Sequence, residues 1–220
     1  MSSINPYYTF KYSQPSEYRF SHDSVFLARR VFELCQKENI QSWRVLDLCA
    51  GCGIIGLDFV FHFQNEKGIF PASCDFIEVQ KIYESHFLEN VEQLKKEKNK
   101  IKSEMRFLNA NYDDLQNSEF NKKYNLILCN PPYFFPHQGT LSPSQFKNRC
   151  RFFIDSDFKQ LFLGIAASLA PLGEAYLVLR DLKKNGFDVL SEVQALLPDY
   201  LRLESIGDIR GNHFIKIGFK

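Results

Sequence analysis

Short apolar runs alternate with longer amphipathic stretches through most of this chain. Val45-Leu46-Asp47-Leu48 is a strand-sized run, and similar runs lie over 74–77, 105–108 and 124–129. Between them the apolar positions recur near helical spacing, over 54–63 and over 80–98, where Tyr83, Phe87, Leu88, Val91 and Leu94 share a face. Upstream, Val25, Phe26, Ala28, Val31, Phe32 and Cys35 predict a helix over 24–36. Downstream, helices are expected over 155–169 and 185–197, with strands over 174–179, 201–206 and 214–219. Pro171-Leu172-Gly173 reads as a turn into the first of those strands. Residues 1–21, rich in Tyr, Phe and Pro but without periodicity, read as an arm or lid with a short extended piece over 7–12.

This alternation predicts an α/β fold: one doubly wound, mostly parallel sheet of seven strands with helices on both faces. No internal repeat or long linker divides the chain, so residues 1–220 are expected to form a single domain. Ligands of such sheets bind beyond the carboxyl ends of the strands. The chemistry is therefore expected in the loops after Leu48, Ile77, Leu108 and Cys129.

Composition narrows the class. With 45% hydrophobic and 24% charged residues, the chain is neither disordered nor a coiled coil. Its 22 phenylalanines are expected to fill a core. A net charge of +1 excludes a dedicated nucleic-acid coat protein but leaves room for a local basic face. No apolar run approaches the ~20 residues of a membrane span. Residues 1–10 lack the pattern of a secretory signal, so the six cysteines are expected as reduced thiols in the cytoplasm.

The first chemical signal is Asp47-Leu48-Cys49-Ala50-Gly51-Cys52-Gly53-Ile54-Ile55-Gly56. Gly51, Gly53 and Gly56 have the spacing of a nucleotide-binding loop between strand and helix. Asp47 just before the loop would repel a pyrophosphate but favour a cationic ligand. Glycine loop and carboxylate together resemble the class I S-adenosylmethionine-dependent methyltransferases. The resemblance implies the fold of that class, with Gly51 and Gly53 under the methionine part of the cofactor and Asp47 near it. It implies Glu78 on the ribose hydroxyls, since a carboxylate accepts from both hydroxyls of a diol. Asn111 is the expected reader of the cofactor adenine, with Asp113 as the alternative.

The second signal is Asn130-Pro131-Pro132-Tyr133-Phe134, directly after the fourth strand. Two prolines fix an extended backbone and remove two N–H donors while keeping the carbonyls. The Asn130 side-chain oxygen and the Pro131 carbonyl can then face one point and hold a planar –NH2 group. Tyr133 offers a face for a flat acceptor. The motif is similar to that of amino-methyltransferases acting on adenine N6 in nucleic acid or on the amide of protein glutamine. Asn-Pro-Pro-Tyr-Phe, together with His22-Asp23-Ser24 before a helix, resembles the tRNA adenine-N6 methyltransferases of the anticodon loop. That likeness implies Asp23 and Asn130 beside the cofactor, with Asn130, Pro131 and Tyr133 as catalytic residues. Pro132, Tyr133 and Phe134, with Lys147, Arg149 and Arg151, are the expected substrate contacts, the last three toward phosphates. RNA is the expected partner. Protein glutamine, DNA adenine and a non-catalytic nucleotide-binding module are the alternatives.

Other groupings carry less. Cys49 and Cys52 have no second ligand pair nearby and read as small residues packed in the loop, and the five histidines lack ligand spacing, so no metal is expected. The lysines over 95–102 sit among glutamates and read as a solvated helix face. Oligomeric state is not legible.

Overall fold

In the computed structural model, residues 11–98 and 101–220 are described, apart from the Gln138 side chain. Seven strands form one sheet: β1 (Arg44–Leu48), β2 (Ser73–Ile77), β3 (Glu104–Leu108), β4 (Tyr124–Cys129), β5 (Leu169–Arg180), β6 (Leu201–Ile209) and β7 (Asn212–Phe219). Their order is β3-β2-β1-β4-β5-β7-β6. The first five run parallel, and β7 is antiparallel to both β5 and β6. The expected α/β fold and mostly parallel sheet are therefore present. The chain reverses direction between β3 and β4, which places the carboxyl ends of β1 and β4 side by side at the switch point.

The helices are α1 (His22–Cys35), α2 (Ile54–Lys67), α3 (Tyr83–Glu97), α4 (Gln145–Arg151), α5 (Phe158–Ser168) and α6 (Val189–Leu196). Two apolar cores lie on opposite faces of the sheet. One packs Val45, Cys74 and Phe76 against Phe32, Phe59, Phe63 and Phe87 of α1, α2 and α3. The other packs Leu46, Ile127 and Leu177 against Phe162 and Ile165 of α5 and Val193 of α6. Alternate residues of β1 thus serve opposite cores, as the two-residue strand period requires. The phenylalanines expected in a core are there, in contacts such as Phe32–Phe63 at 4.9 Å and Phe76–Phe87 at 4.6 Å between ring centroids.

Several boundaries depart from the sequence reading. The helix over 155–169 begins at Phe158, because Asp157 caps it by accepting from the Gln160 amide at 2.8 Å. The expected turn at 171–173 lies inside β5, where Leu172 takes a positive φ of 63° and the pairing with β4 shifts register. The short helix α4 was not legible, being only seven residues and lacking a continuous apolar face. Of the extended piece over 7–12, residues 7–10 lie outside the described residues; 11 and 12 have no regular structure.

Residues 11–21 nevertheless hold a defined course. The Tyr12 hydroxyl donates to Asp58 of α2 at 2.6 Å. Asn90 of α3 accepts from the Ser13 amide at 2.6 Å and donates to the Ser13 carbonyl at 3.0 Å and the Cys52 carbonyl at 3.0 Å. One buried amide thus ties the arm to the glycine loop.

Candidate active site

Loops from the carboxyl ends of β1, β2, β3 and β4 converge on one cavity, as the topology dictates. The arm (Gln14, Tyr18, Phe20) closes one side, and the segment through α4 (Arg149 to Asp155) closes the other. With the solvent beyond its mouth included, the space is about 1210 Å³, a cleft of the size class that takes small ligands.

The glycine loop is shaped by close packing. Gly53 has φ +84°, and a Cβ there would lie 2.8 Å from the Phe87 ring. At Gly56 a Cβ would lie 2.7 Å from the Phe76 ring, so the start of α2 seats directly on the sheet. Asp47 lies beneath this turn rather than on the cavity wall. Its Oδ2 accepts from the Gly56 amide at 2.8 Å, while its buried Oδ1 has no partner among the described residues. Burial raises the Asp47 pKa well above the carboxylate range, the Gly56 N–H opposing it in part. Gly51 lines the cavity and Gly53 does not.

Glu78 lines the cavity at the end of β2. Its Oε2 accepts from the Gly51 amide at 3.0 Å and its Oε1 from the Gln80 amide at 2.8 Å. Each oxygen keeps a further lone pair. Burial raises its pKa, against the pull of the two backbone N–H groups. Asn111 also lines the cavity, but its amide is committed in part: Oδ1 accepts from the Tyr112 amide at 2.7 Å and Nδ2 donates to the Asp155 carbonyl at 3.0 Å. Asp113 is turned away, bonded to the Ser156 hydroxyl. Asn111 keeps a further lone pair on Oδ1 and a further N–H on Nδ2 at the cavity wall, whereas Asp113 stands off it.

At the end of β4, Asn130 donates from Nδ2 to the Ser24 hydroxyl at 3.0 Å. Its buried Oδ1 has no partner among the described residues. Asn130, Pro131, Pro132, Tyr133 and Phe134 all line the cavity. The Tyr133 hydroxyl donates to Asp23 at 2.9 Å, and burial followed by the Asp23 charge raises its pKa. Asp23 is absent from the cavity wall and sits behind Tyr133, with Arg210 and Asn212 both 3.4 Å from its carboxylate. The loop after β4 is tied to the end of α4, since the amides of Tyr133 and Phe134 both donate to the Arg151 carbonyl at 3.0 Å.

The three cations separate. Arg149 lines the cavity but forks onto Asp155 at 2.8 Å. Arg151 lines the cavity, is exposed, and lies over the rings of Phe134 and Phe152 at 5.9 and 5.5 Å without an ion-pair partner among the described residues. Lys147 stands off the cavity wall. Sequence reasoning missed Ser24, Asp155 and the Gln80–Tyr83–Cys150 contacts at 3.2–3.3 Å. Their residue types carry no motif, and their relevance comes only from the partners the fold brings to them. Among the described residues no helix is long and apolar enough to cross a membrane. None of them form a group of three or more His, Cys, Asp or Glu able to hold a metal ion.

The model of the family described as conserved hypothetical protein 95 matches residues 10–142. No curated protein matches the chain significantly. Among solved structures, the T. thermophilus 16S rRNA N2 G1207 methyltransferase, in complex with AdoMet and guanosine, superposes with a TM-score of 0.62 at 16% identity. That match covers 93% of this chain and 45% of the other, so the chain spans less than half of that relative's length. A putative class I S-adenosylmethionine-dependent methyltransferase from Listeria monocytogenes gives 0.60 at 13% identity, over 94% of this chain and 62% of that one. A predicted O-methyltransferase from Agrobacterium tumefaciens gives 0.56 at 13%, over 90% and 80%. The fold is that of the class I methyltransferases.

Proposed function

This chain belongs to the conserved hypothetical protein 95 family, and on that footing we propose that it is an S-adenosylmethionine-dependent N-methyltransferase whose acceptor is an exocyclic amine, adenine N6 in RNA. The observation that carries the proposal is the Asn130 Oδ1 atom: buried, without a partner among the described residues, in the wall of a cavity that also holds the Glu78 carboxylate. A buried acceptor left open is costly unless a ligand donor meets it. An –NH2 group is such a donor. An O-methylation acceptor, which has lost its proton when it reacts, is not.

The residues present suit the cofactor. Glu78 would accept from its ribose hydroxyls with the lone pairs left over from Gly51 and Gln80. Glu78, in its charged form, puts a negative group on the cavity wall that suits a cationic ligand. When bound, S-adenosylmethionine supplies an electrophilic methyl group. Asn130 Oδ1 would take one N–H of the acceptor amine, holding its nitrogen in line and loosening the lone pair from the ring. The ring of Tyr133, tethered through its hydroxyl, would support the face of the base. The amine proton leaves to water through the open mouth. The gain comes from alignment and from an acceptor fixed before the reaction. A base paired or stacked in folded RNA must first leave its stack.

The RNA reading also draws on Arg151, a cation at the mouth without a carboxylate partner, and on the rRNA substrate named for the T. thermophilus relative. The test is transfer of labelled methyl from S-adenosylmethionine to separate pools of RNA, DNA and protein, followed by nucleoside and amino-acid analysis. N6-methyladenosine in the RNA pool is expected. Label confined to protein glutamine or to DNA would replace the acceptor. Label on an oxygen or carbon would end the amine reading.

A further inference from the structure

The loop after β4 carries the proposed chemistry, but the residues that orient it stand at the start of α1, 106 and 110 positions earlier in the chain. Asn130 can present either end of its amide to the cavity. With Oδ1 inward it meets an amine as acceptor to donor. With Nδ2 inward it would set –NH2 against –NH2, and two donors repel. What favours the first arrangement is the pair of oxygens that Nδ2 meets: the Ser24 hydroxyl at 3.0 Å and the Tyr133 hydroxyl, whose own proton goes to Asp23 and whose oxygen can therefore only accept, while Oδ1 has no partner among the described residues. Ser24 is itself buried and is fixed by its amide, which donates to the Ser21 carbonyl at 3.2 Å. Its neighbour Asp23 holds the Tyr133 hydroxyl at 2.9 Å and so tethers the far end of a ring that lines the cavity. Arg210, from the turn between β6 and β7, and Asn212, the first residue of β7, hold the Asp23 carboxylate in turn.

We infer that Ser24 is a positioning residue for the proposed methyl transfer: by holding Asn130 Nδ2 it fixes the amide so that Oδ1 faces the acceptor amine, while Asp23 beside it fixes the ring of Tyr133. This rests on the reading of Asn130 as the amine's partner. Ser24 does not touch the reacting atoms, and removing its hydroxyl takes from Nδ2 the acceptor at 3.0 Å. The amide then turns or shifts, and alignment is lost while the glycine loop and Glu78 stay in place.

Two measurements on the full chain test it. The first needs no acceptor. In the protein bound to S-adenosylhomocysteine, the Asn130 side-chain amide should give one sharp ¹⁵N–¹H pair with a cross-peak to the Ser24 β-protons. In Ser24→Ala that resonance should move or broaden, and in Ser24→Thr it should persist. The second is single-turnover methyl transfer to unmodified tRNA transcripts. Ser24→Ala should slow it about 10–30-fold with cofactor affinity held, the size expected for one oriented hydrogen bond. Ser24→Thr should stay within about threefold, since the Oγ is retained. In an Asn130→Ala background Ser24→Ala should change the rate less than about twofold, because residues acting through one another are not additive. An equal loss in both backgrounds, or an Asn130 resonance unmoved in Ser24→Ala, overturns the assignment. If the parent protein methylates no RNA, the RNA reading falls and the resonance alone decides this one.

Discussion

Glu78→Gln isolates the proposed cofactor contact. The carboxylate is 7% exposed and accepts two backbone N–H groups, Gly51 at 3.0 Å and Gln80 at 2.8 Å. An amide has one oxygen, so one of those N–H groups would face an –NH2 group and stay unpaired. That costs about 1–3 kcal/mol of stability, or roughly 2–4 °C in Tm per kcal/mol for a chain of this size. Toward the ribose hydroxyls, the change from charged to neutral acceptor removes about 1–2 kcal/mol per hydrogen bond. Over the two hydroxyls this predicts S-adenosylhomocysteine binding weaker by about 2–4 kcal/mol, or roughly 30–900-fold, by calorimetry. The pH dependence sharpens the test. Burial raises the Glu78 pKa in the free protein, so its contribution to stability is greatest at low pH and is lost as pH rises through the shifted value. Ligand affinity runs the other way, falling as pH drops through that value because the diol needs the charged form. The falling limb should begin above the ordinary carboxylate range and vanish in Glu78→Gln. Parental affinity and an unchanged pH profile in the variant would remove Glu78 from the cofactor site.

Asn130→Ala should lower the single-turnover rate by about 10²–10³ with cofactor affinity nearly unchanged, the loss of a contact used mainly in the transition state; rapid-quench methyl transfer beside calorimetry measures both. Arg151→Gln should weaken RNA binding and lower the salt slope by about 1. Arg149→Gln, by freeing Asp155, should instead disturb cofactor binding, and salt-dependent filter binding separates the two variants. Asp75, 1% exposed, is bonded to Arg106 and Tyr124, each at 2.8 Å, and to Lys123 at 3.1 Å. Burial raises its pKa, but these three partners outweigh it and the net shift is downward, so its stabilisation is present above the ordinary carboxylate range and lost as pH falls through the lowered value. Asp75→Asn should flatten that acid limb in a denaturant titration. Its cost at neutral pH should fall below the ~3–5 kcal/mol of a fully buried pair, because the Arg106 side chain is 44% exposed.

The fold was legible because apolar runs of strand length are hard to place except in a sheet covered on both faces, and their alternation with helical periods leaves few topologies. Glu78 and Asn130 were legible for a related reason: each ends a strand, so the register that buries the strand also delivers the side chain to the cavity. Asp47 and Asn111 show the limit. Their residue types suit a ligand, but what the sequence does not show is that each also accepts from the backbone of its own loop, Asp47 from Gly56 off the cavity wall and Asn111 from Tyr112 on it. Short polar side chains compete for nearby N–H groups, and only coordinates show which side wins. Ser24 lay on the opposite side of that limit, an unmarked serine whose importance is its neighbour.

Asn90 gives the arm more than a resting place. Its amide meets the Ser13 backbone on both sides and the Cys52 carbonyl of the glycine loop, so arm and loop share a joint. Whatever settles the glycine loop also settles Ser13, and by reciprocity a seated arm raises the affinity of the loop for its ligand. A ligand that binds only the seated form drains the population of unseated molecules by mass action. Cleavage by trypsin after Lys11 or Arg19 therefore becomes a gauge of cavity occupancy, slowing as S-adenosylhomocysteine is added. Asn90→Ala would uncouple the two, leaving the arm's susceptibility indifferent to the ligand.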